Sequence, residues 1–124
     1  MVIPITTSHR EFFRMNLEIL KSFPPFSELR SKELDVLAEI LFYNYKYKDI
    51  DPLVRGKVIF DYSTKVEMRE NLSMDEQSFN NHLTTLRKKG ILDKRTIVSN
   101  YGINPSTPNI TFNFKLEKDA SIIK

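Results

Sequence analysis

The stretch that most limits what this chain can fold into is "SKELDVLAEILFYNYKYK", residues 31–48. Leu34, Leu37 and Leu41 recur at helical spacing, with Ala38 beside them. Val36, Ile40 and Phe42 widen that stripe until much of the circumference is apolar. A surface helix needs a single apolar stripe, whereas one this apolar must be wrapped by other elements. The spacing therefore predicts a helix at the centre of the core. Ser31 is its expected N-cap, without a capping-box partner because position 34 is leucine.

Shorter segments flank it. Ser8 and Glu11 have capping-box spacing, and Phe13, Leu17 and Leu20 follow at helical intervals with Phe12 beside them. The prolines of "FPPF" end that helix near Ser22 or Phe23. Residues 1–8 read as a short strand or an arm. Asp51 followed by Pro52 is a helix start, since a proline in the first turn loses no needed N–H. The helix it opens, "PLVRGKVIF", is weakened by Gly56, Val58 and Ile59. "DYSTKVEMRENL" reads as a further helix, capped by Asp61 or Ser63, with Tyr62–Val66 and Met68–Leu72 as its apolar pairs.

The most clearly bounded element lies in "LSMDEQSFNNHLTTLRKKGIL", residues 72–92. Ser73 has cap chemistry, and Glu76 stands three residues later. Arg87, Lys88 and Lys89 suit the negative end of the helix dipole, and Gly90 suits the left-handed residue that closes a helix. Phe79, Leu83 and Leu86 form the inward row. Gln77, Asn81, Thr84 and Lys88 form a polar row, with Asn80 and Thr85 beside it. Such a row is what any amphipathic surface helix shows, yet amides and lysines are also the groups that read base edges and phosphates.

After it, "ILDKRTIV" reads as a strand and "SNYGINPSTPN" as a loop. In "ITFNFKL", Ile110, Phe112, Phe114 and Leu116 alternate with polar residues, the pattern of a half-buried strand. The two strands are expected to pair as a hairpin. Residues 117–124 read as a tail.

Two helices with a short connection, followed by a hairpin, resemble the winged helix-turn-helix superfamily. The likeness covers about residues 53–116 and rests on "VEMRENLSMDEQSFNNHLTTLRKKGIL" with "DKRTIV" and "NITFNF". "LRKKGIL" followed by "YGINP" is also similar to the wing region of some phage and plasmid replication or regulatory proteins. The resemblance implies an α+β fold, mainly helical, with a C-terminal wing and extra N-terminal helices. Within a single domain, 1–51 would be the helical extension and 52–116 the winged region. The same resemblance implies double-stranded DNA as partner. Residues 74–89 would be the recognition helix, with Gln77, Asn80, Asn81, Thr84 and Lys88 facing the major groove. Ser73 would approach a phosphate, Arg87 and Lys89 would anchor the backbone, and Lys94 and Arg95 would act from the wing. Asp75 and Glu76 oppose such contact.

Composition narrows the chemistry. The chain has no cysteine, so disulfides, thiolate metal sites and a thiol nucleophile are excluded. His9 and His82 are its two histidines, too few for a His-rich metal centre. "VRGK" at 54–57 lacks the spacing of a phosphate loop, and Glu67, Glu70, Asp75 and Glu76 do not form a calcium loop. The expectation is a non-enzymatic protein without cofactor or metal. No leader or membrane span is legible in the sequence, which suits a cytoplasmic protein.

Net charge is +3 and unevenly spread. Residues 1–51 hold seven Lys/Arg against eight Asp/Glu, while residues 52–95 hold nine against six. That favours encounter with a polyanion over the second segment. Tyr43, Tyr45 and Tyr47 interleave with Lys46 and Lys48, but their helical spacing fits core packing or a dimer contact better than base stacking. The aromatic first half makes a homodimer one expectation. The alternative to DNA binding is a structural or adaptor protein, of the kind a phage encodes, that binds another protein.

Overall fold

A computed structural model describes residues 5–93, 101–109 and 112–116. Among these it shows α1 (His9–Leu20), a 3-10 turn (Phe26–Glu28), α2 (Ser31–Lys46), α3 (Pro52–Ile59), α4 (Tyr62–Leu72) and α5 (Glu76–Lys88). α2 is the hub: α1, α3, α4 and α5 all pack on it. Leu34, Val36, Leu37, Ile40 and Leu41 are at most 1% exposed, as a helix apolar nearly all round requires.

The charged residues of α2 that the packing encloses are tied to its neighbours. Glu39 is buried and pairs with Arg10 of α1, whose guanidinium also lies over the Phe42 ring. Arg14 of α1 bridges Asp35 at 2.6 Å and Glu18 at 2.7 Å. Buried Glu33 accepts the Arg30 backbone N–H at 3.4 Å. Arg30 is thus the cap residue and Ser31 the first residue of the helix, one position earlier than the cap chemistry of serine suggested.

Other boundaries follow their caps. The Ser8 hydroxyl accepts the Glu11 N–H at 3.1 Å, and Asp51 accepts the Leu53 N–H at 3.0 Å ahead of Pro52. Asp61 caps α4, and hydrogen bonds from the Ser63 hydroxyl and N–H hold its carboxyl below the usual range. α4 turns Thr64 and Met68 inward, so Tyr62 stands 69% exposed rather than pairing with Val66 in the core.

The α+β winged fold is not what forms. Among the described residues there is no β-strand, and Leu92 makes only an isolated bridge. Residues 94–97, half of the expected hairpin, lie outside the described residues, as do 110 and 111. The rest of the second strand, 112–116, has no regular structure, and Phe114 and Leu116 are 83% and 88% exposed. The physical reason is occupancy. The flank of the core beyond α5 is filled by Ile91, Leu92 and Ile103, all buried. Tyr101 and Gly102, both at positive φ, turn "YGI" back onto that flank, where Tyr101 meets Phe26 edge-on at 4.7 Å. The likeness of this segment to a wing is thereby overturned, and with it the resemblance to the winged helix-turn-helix superfamily.

Candidate nucleic-acid interface

α5 is set by both of its ends. The N-cap is Asp75, whose carboxylate accepts the Ser78 N–H at 2.7 Å. Ser73, expected to cap α5, instead closes α4. It adopts φ 53° and ψ 43°, while the Ser73 and Met74 N–H groups return to the carbonyls of Glu70 and Arg69. At the far end Gly90 has φ 75°, with the Gly90 N–H on Arg87 and the Ile91 N–H on Leu86. That pair of bonds is a Schellman closure, and buried Ile91 and Leu86 supply its apolar contact. Phe79, Leu83 and Leu86 are at most 1% exposed, so the opposite row must face solvent.

Gln77, Asn80, Asn81, Thr84 and Lys88 are all exposed along α5. From Gln77 to Lys88 the row spans about 16 Å at 1.5 Å per residue. The Thr84 hydroxyl donates to the Asn80 carbonyl at 3.0 Å, which spends its proton inside the helix. Asp75 is occupied as the cap, which leaves Glu76 as the acid at the start of the row.

Two residues expected to anchor phosphate are held within the protein. The Lys89 ammonium donates to the Glu28 carbonyl at 2.6 Å and lies 4.0 Å from the buried Glu33 carboxylate. The Arg87 guanidinium lies 5.8 Å from the Phe60 ring centre, and its buried Nε has no partner among the described residues. Lys94 and Arg95 lie outside the described residues.

Sequence reasoning passed over the cations of α4. Lys65 and Arg69, four apart and therefore on one face, line a cleft of about 250 Å³ with Tyr62, Glu76 and Asn80 above a floor of Phe60 and Phe79. Neither side chain has an ion pair or a hydrogen bond among the described residues. The spacing of Lys65 and Arg69 was visible in the sequence. The exposure of Tyr62, which turns that face outward, was not.

The tyrosines of α2 do not form an open stacking platform. Tyr43 is 3% exposed, Tyr45 and Tyr47 pack against the core, and His9 stacks on Tyr45 at 5.6 Å. Among the described residues no group of three or more His, Cys, Asp or Glu is placed to hold a metal ion. No helix among them is long and apolar enough to cross a membrane. Compared with protein-family models, with curated proteins and with solved structures, the chain matches none.

Proposed function

We propose that this protein binds double-stranded DNA through the joined face of α4 and α5, without chemistry of its own. It would act by occupying or organising a site, as a transcriptional regulator or a replication accessory factor does. The observation that carries the reading is the exposed row of Gln77, Asn80, Asn81, Thr84 and Lys88 beside Lys65 and Arg69, cations with no ion pair among the described residues. Asn and Gln offer paired hydrogen bonds to an adenine edge, and a helix fits a major groove about 12 Å wide. Lys65 and Arg69 supply the backbone contacts that fix register. This support is independent of a wing.

The test is binding to random and genomic duplexes at about 50 mM and about 200 mM salt. Joint replacement Lys65→Ala and Arg69→Ala should lower affinity for every duplex and reduce the salt slope by about 2, since each phosphate contact contributes about 0.9. Joint replacement Asn81→Ala and Lys88→Ala should weaken binding with the helical circular dichroism unchanged, because both side chains are exposed. Glu76→Gln should tighten binding by removing a charge that repels phosphate. Absence of binding at the lower salt, or a salt slope indifferent to Lys65 and Arg69, would overturn the reading.

A second reading, a structural protein whose partner is protein, is favoured by a different face. That face is an apolar groove along α1, with no charged residue among its described lining.

A further inference from the structure

The groove runs between residues 5–8, the outer side of α1 and the 105–109 loop, with a volume of about 530 Å³. Ile5, Phe12, Met15, Ile19, Pro105 and Pro108 make its apolar lining. The remaining lining residues are threonines, a serine, asparagines and His9. Among the described residues no Asp, Glu, Lys or Arg lines it, in a chain where those types make up 28% of residues. Beyond the end of α1, four residues after Ile19, the exposed Phe23 ring stacks on Phe112 at 5.5 Å. Ile5 is 62% exposed, Met15 37%, Ile19 45%, Phe23 43% and Phe112 42%.

We propose that this face is where two copies of the chain meet. Charge decides the occupant. A two-fold interface lays a patch against its own image, so any charge near the axis faces a like charge. An uncharged face avoids that cost, and depletion of charge marks the core of protein interfaces. A nucleic acid or a strongly charged protein gains no attraction from such a surface.

Area agrees with charge. At roughly 180 Å² per large side chain, the open parts of the five residues come to on the order of 400 Å² of apolar surface. A stable interface of standard size buries about 800 Å² per partner, a little over half of it apolar. The patch is therefore of the size one half of a dimer interface requires. Phe114 and Leu116, which follow Phe112 at two-residue spacing, are also open apolar side chains.

The experiment is sedimentation velocity of the full chain over a concentration series, with circular dichroism as the check on folding. The expected result is a reversible monomer–dimer equilibrium. Ile19→Asp should raise the dissociation constant on the order of 100-fold, and Met15→Glu should act the same way. Both side chains are partly exposed on α1, so the helical spectrum should persist. Leu53→Asp is the matched control, since Leu53 is 74% exposed on α3 and does not line the groove. A wild-type chain that stays monomeric throughout overturns the proposal. So does a dimer that Ile19→Asp and Met15→Glu leave intact, or one that Leu53→Asp breaks equally well. DNA binding is measured separately, and neither result prejudges the other.

Discussion

At the scale of single residues, the junction of α4 and α5 turns on Ser73. The sequence marks Ser73 with Glu76 as the cap of α5, and the structure uses Asp75 with Ser78. Local chemistry does not separate them. The closure of α4 does, because it needs a left-handed residue at position 73 and so removes Ser73 from the start of α5. Serine holds that conformation at a cost glycine would not bear. Ser73→Gly should raise stability by about 1 kcal/mol, since a left-handed φ costs an L-residue roughly 1–2 and glycine's freer unfolded chain returns part of the gain. Gly90→Ala should lower stability by about 1 kcal/mol for the mirrored reason, with open space where the added carbon would stand. Urea midpoints measure both. Glu39 carries a pH signature. Burial raises its carboxyl above the usual range, although the Arg10 guanidinium pulls the other way. The folded state therefore keeps the proton to higher pH than the unfolded chain. That contribution is fully present below the usual glutamate value and is lost as pH rises through the raised one. Glu39→Gln removes the titration, so its stability relative to wild type should climb with pH across that window. Urea midpoints from about pH 4 to pH 7 measure it, and a falling difference would contradict the assignment.

At the scale of elements, the helices were largely legible, whereas the hairpin that the alternation suggested does not form among the described residues. Periodicity with caps or prolines marked α1, α2, α3 and α5 to within a few residues, because each signal is local. Alternation in "ITFNFKL" says which side a strand could bury, and burial then depends on a vacancy elsewhere. Ile91, Leu92 and Ile103 had already filled the nearest one. The orientation of α4 was obscured for a similar reason, since its inward positions are Thr64 and Met68 while Tyr62, its most obvious apolar residue, faces out. That is why the polar row of α5 could be read directly and the neighbouring Lys65 and Arg69 could not. The double replacement on α4 is accordingly the sharper test of the interface, because it probes the half that spacing alone did not suggest.

At the scale of the whole molecule, α2 makes the fold one cooperative unit. Four helices lean on it, and its leucines have no solvent-facing side to relax toward. Leu37→Ala should cost about 2–5 kcal/mol. The loss should appear together in far-ultraviolet dichroism and in tyrosine fluorescence, which a single transition requires. Separate midpoints would show that a helix can leave α2 without unfolding the rest. The ammonium of Lys89 extends this unity to the proposed binding face. It fastens the last turn of α5 to the 3-10 turn through Glu28 and to the first turn of α2 through Glu33. In mechanical terms it is a strut: a load placed on α5 passes straight into the member that carries every other helix. α5 therefore has little give of its own. Two copies joined along α1 would hold their α5 helices at one fixed gauge, so a DNA site would have to match that gauge, because the protein would not stretch to meet the site.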